Sequence, residues 1–356
     1  MSQDLSARLD SLPKALLHDH LDGSLRLSTL LACCRAQGIE PPAPDVPGLR
    51  RWFEANAMAG SLERYLEGFG LTVAALASPQ ALAQVAFEAA EDARAEGCVL
   101  AELRMAPLLL EPLGVSPDQA VQAMLEGLSR SPLPTGLIVC GMRHESPERV
   151  RRAADLALRH RATSARQPGV VGFDLAGPER GFPATLHRHT LEHVVAQGLP
   201  LTLHAGEADE GQRVLEAVRL GARRIGHGVR LADLLDGPQA PEILDELRQR
   251  QVHLEICPTS NVQTGAAASI VEHPIRRLWA AGVSLSFHTD NRLISCTSLV
   301  REARLLVEQA GFTLADLGRM QQQALQASFL EEPVRTQGLA ALSAWQTQVP
   351  PEAPTR

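Results

Sequence analysis

The stretch LLHDHLDG, residues 16–23, runs two leucines into two histidines separated by one aspartate, then into Asp22 and Gly23. Strand side chains alternate faces, so His18 and His20 project the same way, a few ångströms apart. That geometry suits a shared metal ion, although two histidines hydrogen-bonded near a strand end would leave the same pattern. The rest of the chain decides the fold. Seven more short β-like runs end in polar or glycine-containing residues: VLAELRMAP (99–107), TGLIVCGMR (135–143), VVGFDLAG (170–177), LPLTLHAGE (199–207), RIGHG (224–228), VHLEICPTS (252–260) and VSLSFHTDN (283–291). With ALLHDH (15–20) they make eight. Helical patterns rich in Ala, Leu, Glu and Arg separate most of them, such as ALAQVAFEAAEDARAEG and RVLEAVRLGA, with Gly near several C-termini. No GxGxxG follows any strand and the count matches closure. The pattern therefore predicts an α/β fold of the (β/α)8 TIM-barrel type rather than an open doubly wound sheet.

A chain of 356 residues suits one such barrel, spanning 1–356, with insertions. The connection from His20 to Val99 is too long for a structureless loop. It holds EPPAPDVPG followed by SLERYLEGFGLTVAAL, and is expected to form a helical insertion over about residues 25–95. Leaving the C-terminal rim of the first strand, the insertion is placed to act as a lid. The polar end QVPPEAPTR marks a tail, expected to be frayed over about residues 346–356.

Composition narrows the partners. A hydrophobic fraction of 45% with 3% aromatic residues predicts an aliphatic core. A net charge of −7 with no Lys/Arg block argues against a nucleic-acid polymer or an anionic membrane, and for a small-molecule substrate. Lys14 is the only lysine. It lies roughly 13 Å up an extended strand from His18, so a Schiff base or a carbamylated bridging lysine at that site is excluded. Six cysteines without a CxxC read as reduced thiols. No apolar run reaches membrane-spanning length and the start is unlike a signal peptide, so a cytoplasmic location is expected. No feature specifies a subunit number.

In a barrel, side chains at the C-terminal strand ends converge. There stand His18 and His20, Asp174, His204 and Glu207 of HAGE, His227 of RIGHG and Asp290 of HTDN. His18, His20, His204 and Asp290, from three strands, could close around one divalent ion, and imidazoles with one carboxylate select zinc or a close neighbour. Such an ion lowers the pKa of bound water from 15.7 to about 7. Attack on an aromatic ring carbon calls for a general acid, and Glu207 lies three residues beyond His204. A carboxylate complementing a helix N-terminus is the plainer reading of Glu207. His227 could orient or deprotonate the water, or be a rim histidine held between glycines. His288 reads as support for the centre rather than as a ligand. The other seven histidines, at 144, 160, 187, 189, 193, 253 and 273, read as surface or satisfied residues.

Taken in order, LPKALLHDHLDGS, GFDLAG, LTLHAGE, RIGHG, LEICPTSN and SFHTDN resemble the adenosine deaminase family over about residues 11–335. The resemblance implies one zinc per chain on His18, His20, His204 and Asp290, with Glu207 protonating purine N1 and His227 and Asp290 handling the zinc-activated water that attacks C6. It implies that the Gly177 N–H meets N3, that Asp22 binds the ribose 5′-hydroxyl, and that Leu62, Tyr65, Leu66 and Phe69 lie on the helix closing an apolar lid. Their i, i+3, i+4, i+7 spacing puts those four on one face, as ordinary helix packing also would. The implied reaction converts adenosine or 2′-deoxyadenosine to inosine or 2′-deoxyinosine and ammonia, in purine salvage, with no organic cofactor. Adenine-deaminating relatives tend to carry HxHxEG, with glutamate where Asp22 stands.

Three positions depart from the family pattern. Asn291 replaces an aspartate that hydrogen-bonds N7, His288 replaces a frequent asparagine, and Pro178 replaces a frequent acid. An asparagine amide can donate to N7 without being protonated. The rival readings are another 6-aminopurine, either adenine or a 5′-modified adenosine, and a catalytically silent nucleoside-binding barrel. The absence of a lysine at the fourth strand disfavours a binuclear centre, and CPTSN lacks the second cysteine of the cytidine-deaminase signature.

Overall fold

The computed structural model describes residues 3–163 and 167–348. Each of the eight runs carries a strand: β1 (Lys14–Leu16), β2 (Cys98–Met105), β3 (Thr135–Met142), β4 (Val170–Ala176), β5 (Leu201–Ala205), β6 (Ala222–His227), β7 (His253–Ile256) and β8 (Leu285–Phe287). Neighbours pair in parallel, and spatial order is chain order. The first and last strands join just past their ends. The His20 N–H donates to the Asp290 carbonyl at 2.7 Å and the Asp290 N–H to the His18 carbonyl at 3.0 Å. The fold is the expected (β/α)8 barrel, and its seam passes through three of the expected metal ligands.

Helix α1 (Gln3–Ser11) precedes β1, and α2 (Leu27–Gln37), α3 (Val46–Asn56), α4 (Leu62–Glu67), α5 (Phe69–Ala75) and α6 (Pro79–Ala95) fill the connection to β2. After β2 to β6 come α7 (Pro117–Ser129), α8 (Pro147–Arg159), α9 (Arg188–Ala196), α10 (Gln212–Arg219) and α11 (Ala240–Gln249). Helices α12 (Pro258–Gln263) and α13 (Ile275–Ala280) follow β7, and α14 (Leu299–Glu308), α15 (Leu314–Ala327) and α16 (Glu332–Gln348) follow β8. The sequence starts three of these helices with the same Ser-Pro pair. Ser78, Ser116 and Ser146 accept from the third helical N–H, and the proline behind each presets the helical φ without sacrificing a needed donor. Each cap stabilises its helix by about 1 kcal/mol. On α8, Val150, Ala153, Ala154 and Ala157 make one buried stripe against the barrel while arginines face out.

Three expectations change in detail. The aliphatic core lies between strands and helices, whereas the bore is charged: Glu102, Arg104, Asp174, Arg224 and Glu255 are each at most 1% exposed. Arg224 spans Glu102 at 2.7 Å and Glu255 at 2.6 Å, and Arg104 spans Glu255 at 2.6 Å and Asp174 at 2.9 Å. Ions so far from water persist because each has partners of opposite sign. The lid face sits on two short helices, α4 and α5, broken at Gly68, rather than on one. The expected tail falls mostly outside the described residues, since α16 runs to Gln348.

Lys14 lies at the N-terminal end of β1, donating to the Leu12 and Glu96 carbonyls at 2.8 Å each, away from the histidines. All six cysteines are unpaired. Among the described residues no single helix is long and apolar enough to cross a membrane.

Candidate active site and metal centre

At the C-terminal rim, donor atoms of His18, His20, His204 and Asp290 all lie within 4.8 Å of one another. His18 Nε2 stands 3.1 Å from Asp290 Oδ1, and His20 Nε2 stands 3.5 Å from that oxygen and 3.3 Å from His204 Nε2. A tetrahedron of zinc–nitrogen bonds has edges of about 3.3 Å, so these separations match a tetrahedral shell. The proton positions follow from the outer partners. His18 Nδ1 lies 2.9 Å from Glu255 Oε2, and His204 Nδ1 lies 3.0 Å from Asp174 Oδ2. Each ring donates through Nδ1 to its carboxylate and turns a bare Nε2 lone pair inward. His18 Nε2 is buried without a hydrogen-bond partner. Lone pairs facing one another and a carboxylate oxygen repel unless a cation lies among them. Three imidazoles with one carboxylate fit a single zinc ion.

Arg104 connects the two outer carboxylates, so both ligand-bearing sides of the bore share one ion network. Burial opposes charge on Glu255, but Arg104 and Arg224 hold it well below the usual carboxylate range. Asp174 is thus occupied by Arg104 and His204, which agrees with a mononuclear centre. Asp290 accepts from the Ser260 hydroxyl at 2.6 Å through Oδ2. Two backbones here are left-handed without being glycine, His227 at φ 62° and Asp290 at φ 60°. That conformation costs on the order of 1 kcal/mol each and occurs where surrounding contacts enforce it. His288 accepts from the Leu17 N–H at 3.2 Å, supporting the backbone that leads to His18.

A cavity of about 700 Å³ covers the centre. Its wall includes His20, His204, Asp290, Glu207, His227, Asp22, Gly177 and Asn291, together with Leu62, Tyr65, Leu66 and Phe69 of α4 and α5. His18 is fully buried beneath it. A second hollow, about 760 Å³, opens at the opposite barrel end around His253, Gln323 and Phe329, and includes none of these groups.

Glu207 is 3% exposed. Burial, reinforced by the charges of Asp290 and Glu179, pushes its carboxyl well above the ordinary range. The Thr264 hydroxyl donates to its Oε1 at 3.0 Å, and Oε2 is 3.6 Å from His227 Nε2. Glu207 caps no helix, as α10 begins five residues later at Gln212. Asp22 is buried with Oδ1 unpartnered, and burial lifts its carboxyl to about 7. Gly177 holds φ 93°, and a Cβ there would meet Met142 at 3.0 Å and His144 at 3.2 Å, so both conformation and space require glycine. Asn291 Nδ2 donates to the Tyr65 hydroxyl at 3.2 Å, and that hydroxyl lies 2.6 Å from Ser295 Oγ. Gly23 makes room for Asn291, whose Oδ1 would be 2.0 Å from any Cβ at position 23.

Several residues of the site were not singled out by sequence reasoning. Arg104, Glu255 and Thr202 belong to strands read only for their apolar pattern. Arg143 donates to the His204 carbonyl, and Glu179 accepts from four successive N–H groups, those of Gly206, Glu207, Ala208 and Asp209. Ser260 and Asn261 fall in CPTSN, a motif noticed without roles for its members. His144 is exposed but belongs to the cavity wall, and His273 is buried behind the site.

Fold and centre together define the class, a mononuclear zinc-dependent hydrolase built on a (β/α)8 barrel. The sequence model of the family described as adenosine deaminase matches residues 13–345. The adenosine deaminase of Mycobacterium tuberculosis H37Rv is 42% identical over 334 residues, covering 89% of this chain and 90% of its own, and that of Mycobacterium leprae is 41% identical with the same coverage. The chain belongs to the adenosine deaminase family. Among solved structures, the ADAL–IMP complex aligns with a TM-score of 0.82 at 26% identity, covering 97% of this chain and 100% of that one. A zinc-bound amidohydrolase from Burkholderia ambifaria shares the fold with a TM-score of 0.84 at 22% identity, covering 98% and 94%. The apo N6-methyl-AMP deaminase from Arabidopsis thaliana aligns at 0.80 with 26% identity, covering 97% and 100%.

Proposed function

We propose that the chain hydrolytically deaminates adenosine and 2′-deoxyadenosine to the corresponding inosines and ammonia, as a cytoplasmic enzyme of purine salvage. The observation that carries this reading is a single cavity in which the four-donor centre, a buried Glu207 whose carboxyl is pushed toward its neutral form and an unpartnered Asp22 oxygen meet. His18, His20, His204 and Asp290 would hold a zinc ion, which would supply water activation at neutral pH. Glu207, kept neutral by burial, gives its proton to N1 as C6 is attacked, which prevents charge from accumulating on the ring. His227 orients the water, and the Gly177 N–H meets N3 where no side chain obstructs it. Asp22 accepts the ribose 5′-hydroxyl, the partner its Oδ1 lacks. Leu62, Leu66 and Phe69 cover the base and exclude water.

The cavity wall favours a nucleoside over a nucleotide. Among the described residues five carboxyl groups line it, at Asp22, Glu63, Glu67, Glu207 and Asp290, and no lysine or arginine does. A 5′-phosphate directed at Asp22 would find no cationic side chain in the wall to receive it. The test compares Asp22→Ala with the unmodified chain on adenosine, 5′-deoxyadenosine and AMP. The variant should raise KM for adenosine about tenfold, the worth of one buried hydrogen bond, and leave 5′-deoxyadenosine nearly unaffected. Equal effects on both nucleosides, or turnover of AMP comparable with adenosine, would remove the 5′-hydroxyl assignment.

A further inference from the structure

Behind His227 a chain of buried polar groups leads out of the cavity. Asn261 Nδ2 lies 3.0 Å from His227 Nδ1, Asn261 Oδ1 lies 3.3 Å from His273 Nε2, and the backbone N–H of Ile275 donates to His273 Nδ1 at 3.1 Å. His227, Asn261 and His273 are each at most 2% exposed. The last link has only one polarity, because a backbone N–H is always a donor. His273 Nδ1 must therefore be the accepting nitrogen, which places the His273 proton on Nε2. That proton is donated to Asn261 Oδ1, so the Asn261 amide presents its N–H to His227 Nδ1. An inverted Asn261 amide would direct its NH2 at His273 Nε2 and require a histidine with two bare nitrogens, which neutral imidazole does not have.

We infer that His273 and Asn261 are positioning residues that fix His227 in the tautomer protonated on Nε2, making it a standing hydrogen-bond donor to the reacting water rather than its base. The role of the relay rests on the reading of His227 as a partner of that water. Two consequences follow from the chemistry. With Nδ1 bare and facing the Asn261 N–H, Nε2 carries the proton and has no lone pair with which to take one from water. The relay also carries no proton away, because it ends on an amide N–H that does not ionise. The proton of the attacking water is then left to Asp290, and to Glu207 once that residue has protonated N1.

The test is ¹⁵N NMR of the zinc-loaded protein labelled in histidine, with the His227 signals identified by their loss in His227→Gln. The expected spectrum has a proton on Nε2 and a bare Nδ1; a proton on Nδ1 overturns the inference. In parallel, Asn261→Leu removes the donor and should lower kcat by about 10²-fold with zinc content retained and KM changed far less. His273→Gln, whose amide can still donate to Asn261 Oδ1, should keep both the tautomer and most of kcat. Unchanged kcat in a folded Asn261→Leu also overturns the positioning role. Failure of the unmodified chain to release ammonia from any aminopurine would instead defeat the proposed function, while the spectrum still decides the tautomer.

Discussion

A carboxyl group that donates a proton near pH 7 has to be kept from ionising, and Glu207 meets that need by position. It is buried, faces Asp290 and Glu179, and has a neutral hydroxyl rather than a cation on Oε1. Glu207→Gln keeps the shape and removes the proton. It should retain zinc and lose 10²- to 10⁴-fold in kcat, measured beside metal content; near-normal turnover would take the acid role from Glu207. The positions of the candidate ligands and of Glu207 were legible in the sequence because strand alternation and short motifs such as HDH, HAGE and HTDN place them side by side. Glu255 and Arg104 were not legible. LEI and ELR read as ordinary strand, and only barrel closure turns those two residues inward toward His18.

Among the elements, α4 joins the barrel through a polar contact as well as through apolar packing. Tyr65 on α4, the only tyrosine, reaches Asn291 and Ser295 beyond β8. Tyr65→Phe removes both links and leaves Asn291 Nδ2 without its acceptor. At roughly 1–2 kcal/mol for a buried hydrogen bond, KM for adenosine should rise about tenfold while kcat changes little. A fall in kcat at constant KM would show that Tyr65 acts on the reacting centre instead. The spacing of Leu62, Tyr65, Leu66 and Phe69 revealed the shared face, because 3.6-residue periodicity survives the short interruption at Gly68. The interruption itself was illegible, since Gly68 keeps right-handed helical backbone angles. The loop carrying Glu207 is held by Glu179, a clasp invisible in sequence because its donors are backbone groups.

For the molecule as a whole, burial of neutral histidines contributes to the loss of stability in acid. His253 and His273 have pKa values pushed down to about 3 by burial, with the charge of Arg224 adding to the effect at His253. Unfolded, each titrates near 6.5. Below that pH the unfolded chain binds protons that the fold refuses, so stability present above pH 6.5 is lost as pH falls toward 3. At pH 4 the loss from His253 alone amounts to about 3 kcal/mol. Relative to the unmodified chain, His253→Gln should therefore gain stability between pH 7 and pH 4 in denaturant unfolding. A constant difference across that range would mean that His253 is protonated in the fold. The barrel was legible from eight runs and their separators, whereas its charged bore was not, because composition counts ions without locating them.

Substrate chemistry tests the proposed activity most directly. Purified, zinc-loaded protein is given equal concentrations of adenosine, adenine and 5′-deoxyadenosine, and ammonia release is followed for each. Fast release from adenosine, with adenine and the 5′-deoxy compound well behind, is the predicted result. A preference for adenine or for 5′-deoxyadenosine would keep the deamination and contradict the nucleoside assignment, and silence on all three would contradict the enzyme itself.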